Sequence, residues 1–127
     1  MPFRTTLFVG SQSGLAAGTT TNSNGQLVTR EDGTSIAAIE VGRLTDLVAE
    51  AQVSVGSGGT CTPAIQDSFD GITWGVWVQF TDGAITPLQR VAPTRYPGPY
   101  LRQQTIVGAG GSGFTVQTRV CGFQHPA

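Results

Sequence analysis

The chain contains no lysine, a single histidine (His125) and only two cysteines, and charged residues fill 12% of its 127 positions. Each shortage closes off a class of function. Seven scattered arginines and a net charge of -1 supply no basic stripe for phosphate neutralisation, so no nucleic-acid partner is expected. With one histidine, and neither Cys61 nor Cys121 in a C-x-x-C pair, a zinc site of the usual ligand count cannot be built within one chain. No run approaches about eighteen apolar residues, and the opening MPFRTTLFVGSQSGLAAG lacks the long apolar core of a secretory signal. The expectation is a chain made and used without crossing a membrane, with no membrane partner and no cofactor.

Catalytic groups are equally scarce. A Ser-His-Asp or Cys-His nucleophile needs a histidine held in a cleft, whereas His125 stands close to the carboxyl end, where chains usually fray. The acid pairs Asp67/Asp70 and Glu31/Asp32 sit in turn-like sequence, where aspartate beside glycine caps backbone amides more often than it protonates sugars. Asp67, Asp70 and Asp82 do not have the spacing of a compact calcium loop. The glycine runs Gly56 to Gly59 and Gly108 to Gly113 bring no P-loop lysine and open no helix, so they read as hairpin turns. No catalytic residue and no metal site is expected. Cys61 and Cys121 read either as small buried hydrophobes or as a disulfide between strands.

What the chain does have is period two. In VAEAQVSV, Ala49, Ala51, Val53 and Val55 share one face and Glu50, Gln52 and Ser54 the other, although Asp46 to Ala51 also passes for a helical turn capped by Thr45. TCTPAIQDS returns as a strand, with Pro63 marking a sheet edge or a bulge. LQRVA, YLRQQTIVG and FTVQTRVCG follow; in the last, Phe114, Val116, Thr118 and Val120 face inward. TTLFV, QLVTR and TSIAAIEV are weaker candidates, and Gly18 to Gly25 reads as a mobile loop. Roughly eight or nine short strands imply an all-β, single-domain antiparallel β-sandwich, most economically a jelly roll. Residues 1–25 read as a flexible N-terminal arm with a first strand and residues 26–127 as the sandwich domain.

One stretch is composed differently. In QDSFDGITWGVWVQF, Ser68 and Asp70 can accept from backbone amides and Gly71 can take positive φ, which makes S-F-D-G a turn that sets strand register. Alternation then puts Trp74, Val76, Val78 and Phe80 on the core face, with Trp74 as the anchor, and Trp77 with Gln79 on the opposite face.

The motif Q-D-S-F-D-G-I-T-W, the later P-Y-L-R-Q-Q-T-I-V-G strand and the closing F-T-V-Q-T-R-V strand after a glycine loop resemble a group of small tailed-bacteriophage virion proteins, the jelly-roll capsid decoration, or cement, proteins. The likeness runs from Asp46 to Val120. It implies a homotrimer seated on the outer capsid surface of the virion, over local threefold axes of the major capsid protein shell, made in the host cytoplasm. Candidate contacts to the shell or to neighbouring copies are Phe3, Arg4, Leu7 and Phe8 in the arm, Tyr96 and Tyr100 around the proline-rich PTRYPGP loop, and Trp77. Against these, Leu7 and Val9 also fit an ordinary first strand, and Tyr96 and Tyr100 also fit packing beneath their own loop. A carbohydrate- or receptor-binding module of a tail or neck is the alternative, with Trp77 as its sugar platform.

Overall fold

A computed structural model describes residues 3–28 and 44–124, and all the regular structure in it is β. The strands are β1 (Phe3–Leu15), β2 (Thr20–Asn22), β3 (Gln26–Leu27), β4 (Leu44–Ser57), β5 (Cys61–Ser68), β6 (Gly75–Gln79), β7 (Leu88–Val91), β8 (Tyr100–Val107) and β9 (Ser112–Gln124). They form two antiparallel sheets, one in the order β1-β9-β4-β7 and one in the order β2-β8-β5-β6, with β3 also paired to β8. The expected β-sandwich is present. Asp46 to Ala51 is strand, not helix. The expected TSIAAIEV strand, Glu31, Asp32 and His125 lie outside the described residues.

Alternation places the core as the sequence suggests in β4 and β9. Ala49, Ala51 and Val53 are buried while Gln52 and Ser54 are exposed, and Phe114, Val116, Thr118 and Val120 are buried while Gln117 and Arg119 are exposed. Pro63 lies inside the five-stranded sheet at a local edge. Its carbonyl accepts from Phe80 N–H just past the last β5–β6 ladder pair, Ala64 with Gln79, so its missing N–H interrupts no ladder bond.

Three expectations are overturned. The glycine runs are not hairpins, because β4 and β5 belong to different sheets, as do β8 and β9. Each run carries the chain from one sheet to the other, and the two crossovers stack. A Cβ on Gly58 would stand 2.6 Å from Gly110 O and one on Gly59 2.5 Å from Gly111 N, so only hydrogen fits there. Among the described strands, β5 and β6 are the one consecutive pair that are also sheet neighbours.

Second, the first strand expected within residues 1–25 is present, but as β1 it is paired with β9 from Phe3 opposite Gln124 to Leu15 opposite Phe114 and is no free arm. A bulge between Thr6 and Phe8 inserts Leu7 as an extra residue, so Leu7 and Phe8 are both buried and Val9 is exposed. Neither Leu7 nor Phe8 is available as a docking anchor; Phe3 and Arg4 are placed only as backbone. The Gly18 to Gly25 stretch carries β2, which pairs with β8 through Thr20–Asn22.

Third, the two tryptophans exchange places. Ile65 pairs with Val78 and the next residue, Gln66, pairs with Val76, which leaves Trp77 as the extra residue of a bulge. Trp77 turns inward, 8% exposed, against a cluster that includes Leu7, Ile65, Phe80 and Leu101, while Val76 faces solvent. Trp74 precedes β6 and lies half-buried, with the Arg102 guanidinium 4.5 Å from its ring centre and its edge against Gly25. Trp74 is therefore not the core anchor, and Trp77 is neither a sugar platform nor an interface residue.

The interior has three layers along the strands. One apolar cluster surrounds Trp77, and a second contains Leu15, Val53, Cys61, Val107, Phe114 and Val116. Between them runs a buried polar seam. Gln103 Nε2 donates to Gln12 Oε1 (2.9 Å) and Val116 O (3.2 Å), Thr105 Oγ1 donates to Gln12 Oε1 (2.7 Å), and Thr118 Oγ1 donates to Gln103 Oε1 (2.7 Å). The seam ties β8 of one sheet to β1 and β9 of the other. Cys61 and Cys121 are buried and form no disulfide, as the hydrophobe reading has it, and burial first, with Asp82 nearby, pushes the Cys61 thiol up to about 11.

Candidate functional site

The turn joining β5 to β6 is built as its sequence implies. Gly71 N–H donates to Ser68 Oγ (2.8 Å), the Ser68 hydroxyl donates to Asp70 Oδ1 (3.0 Å), and the amides of Ile72 (2.8 Å) and Thr73 (2.9 Å) converge on the same oxygen. Gly71 has φ +78°, which a β-carbon would strain. The amides of Thr73 and Ile72 and the Ser68 hydroxyl hold the Asp70 carboxyl below the usual carboxylate range, so it is anionic at neutral pH. The turn's acids serve backbone geometry, as expected.

The same ladder has a second consequence. It holds Phe69 and Ile72 out of the fold, 84% and 82% exposed, on a turn with little freedom to bury them. Single exposed apolar residues are ordinary, whereas here two large ones are fixed on one rigid projection. The S-F-D-G pattern discloses the register device and not the exposure of the apolar residues beside Asp70. The signal was there, because a turn that spends its polar groups on its own backbone must present whatever else it contains.

The turn is buttressed from behind. Arg95 grips Asp67 with both Nη atoms (2.8 and 3.0 Å), Gly98 N–H donates to Asp67 Oδ2 (2.8 Å), and the carbonyl of Arg95 accepts from Trp77 Nε1–H (2.8 Å). Gly98 also packs so close to Ser68 O that a Cβ there would lie 2.6 Å away. The proline-rich loop is thus fastened to the hairpin, with Tyr96 half exposed beside it and the Tyr100 ring placed so that a Cβ on Gly71 would lie 3.6 Å from it. The structure brings Ser68, Asp70, Gly71, Tyr96 and Tyr100 to one end of the sandwich.

Burial alone would raise the Asp67 pKa, but the Arg95 hydrogen bonds and the Gly98 amide outweigh it and hold the carboxyl low. A carboxylate depressed in the folded state stabilises above its unfolded pKa, about 4, and loses that contribution as pH falls through the folded value. In Asp67→Asn, stability at neutral pH is expected to drop and the acid limb below about pH 4 to flatten. Urea unfolding across pH 2 to 7 reads this, and an unchanged acid limb removes Asp67 from the linkage.

No family model, curated protein or solved structure matches the chain. A second feature lies on the outer face of the four-stranded sheet, where β4 places Glu50 directly between Arg119 of β9 and Arg90 of β7. Glu50 accepts from Arg119 Nη2 (3.0 Å) and Arg90 Nε (3.3 Å). These residues line a shallow hollow of about 520 Å³ rimmed by Val9 and Leu88. The cross-strand pairing was not legible, because residue separations of 40 and 69 carry no local signature. Asp82 is taken up by backbone: its Oδ1 caps the amides of Cys61 and Ala84, both 2.9 Å away.

Proposed function

We propose that the chain is a structural virion protein, a jelly-roll β-sandwich that decorates and stabilises an icosahedral phage capsid as a trimer over local threefold axes of the major capsid protein shell. One observation carries this reading: a rigid turn holds Phe69 and Ile72 in solvent, where an isolated domain has no use for them. The strand orders β1-β9-β4-β7 and β2-β8-β5-β6, with the chain passing between sheets at every described connection except β2 to β3 and β5 to β6, support the jelly-roll assignment. The carbohydrate-binding reading loses the residue that motivated it, since Trp77 is buried.

A decoration protein adds to shell stability by binding only the assembled state. The chain is therefore expected to co-sediment with empty shells at a fixed ratio to their threefold positions and to raise the temperature at which those shells open. Sedimentation with quantitation of the bound chain measures the ratio, and calorimetry of shells with and without the chain measures the opening temperature. Shells that neither retain the chain nor gain heat resistance at saturating concentration contradict the proposal.

A further inference from the structure

We infer that the Phe69–Ile72 turn of one copy docks into the outer-face hollow of a second copy. The two surfaces match in chemistry. The turn reads apolar, acidic, apolar: Phe69, Asp70 and Ile72, with Asp70 Oδ1 committed to the turn and Oδ2 outside its ladder. The hollow offers exposed Val9 on β1 and exposed Leu88 on β7, the two edges of the sheet, with Arg119 on β9 between them and Arg90 beside Leu88 on β7.

Charges are complementary as well. Two arginines share one glutamate, leaving the face at +2 − 1 = +1 against a turn at −1. Each guanidinium spends one N–H on Glu50, and a guanidinium has five, so donors remain for a carboxylate. Glu50 fixes both arginines in place and the hydrogen-bond ladder fixes the turn, so little freedom is lost on docking.

The turn sits at one end of the sandwich and the hollow on the face of one sheet. Each copy therefore gives a turn and receives another, which is a heterologous contact. Such contacts close into a ring when the rotation between copies permits, and otherwise run on as a chain. This contact supplies the self-association of the proposed assembly and rests on that reading. Its test contains no shells: a chain that assembles but ignores shells fails only the capsid reading, and one that coats shells while never self-associating fails only this one.

The test is sedimentation velocity on the full chain and two double variants at exposed positions. Phe69→Ser with Ile72→Ser removes the turn's apolar pair, and Val9→Glu with Leu88→Glu spoils the hollow. Wild type is expected to assemble, and each variant alone to remain monomeric at concentrations at least about tenfold higher. Mixed in equal amounts, the two variants retain one intact turn and one intact hollow, and are expected to form dimers and nothing larger. A monomeric wild type, variants that assemble like wild type, or a mixture that stays monomeric up to its solubility limit overturns the inference. Asp70→Asn keeps Oδ1 as the turn's acceptor and guards against a folding defect. It is expected to weaken assembly about tenfold at low salt and less at high salt, whereas a salt-independent result equal to wild type removes the arginine–carboxylate contact.

Discussion

Replacing Trp77 by alanine is expected to destabilise the fold by about 4 kcal/mol, whereas Trp74→Ala costs about 1 kcal/mol. Trp77 fills the larger apolar cluster between the sheets, and its indole N–H holds the proline-rich loop through Arg95 O. Its removal leaves a cavity lined by side chains that cannot collapse into it, and an unpaired carbonyl above. Trp74 lies outside the core over Arg102, so truncation gives up one stacking contact and some half-exposed area. Urea denaturation of the two variants measures the difference. Equal losses, or the larger loss at Trp74, would mean that the bulge opposite Ile65 and Gln66 is absent and that simple alternation holds through β6.

This contrast also locates the limit of what the sequence discloses. Period two correctly gave the inner faces of β4 and β9, because a one-residue slip there would expose every apolar side chain they carry. It failed in β6 and at Leu7 for one physical reason. A bulge adds a single residue, inverts the pattern beyond it, and leaves no mark in composition. Alternation also reports inside from outside but not which strand is the neighbour, so runs of glycine that cross between sheets read the same as hairpins. The turn's hydrogen bonds were legible to the residue, since Ser68, Asp70 and Gly71 act within a few positions of one another. The clasp of Asp67 by Arg95 was not, because it joins a strand end to a loop 28 positions away.

Gln103→Leu is expected to lower stability by about 3 kcal/mol despite the similar size of the two side chains. Gln103 is 0% exposed and is the hub of the polar seam, donating to Gln12 and Val116 O and accepting from Thr118. Leucine leaves the Thr118 hydroxyl without its acceptor and withdraws a donor from Gln12, at about 1–3 kcal/mol for each buried group left unsatisfied. Adding Thr118→Val to Gln103→Leu removes one orphaned hydroxyl, so the double variant is expected to cost about 1 kcal/mol less than the sum of the two singles. A double-mutant cycle by chemical denaturation gives that coupling directly. Strict additivity would show that the seam is not a unit. Gly10 belongs to the same arrangement, since a Cβ there would stand 2.7 Å from both Gln103 Oε1 and Thr118 Oγ1.

The position of β9 between β1 and β4 shapes how the molecule is made. A ribosome releases about 5–20 residues each second, and β9 is the last of the described strands in chain order. Until Ser112–Gln124 emerge, β1 has no neighbour in its sheet, and Leu7 and Phe8 on it have no fixed register. The first of the described strands is thus among the last of them to be placed, through pairings as distant in sequence as Phe3 with Gln124. A nascent chain halted before β9 carries an apolar ribbon with an open edge on each side, which is the form most prone to pair with its neighbours on the same message.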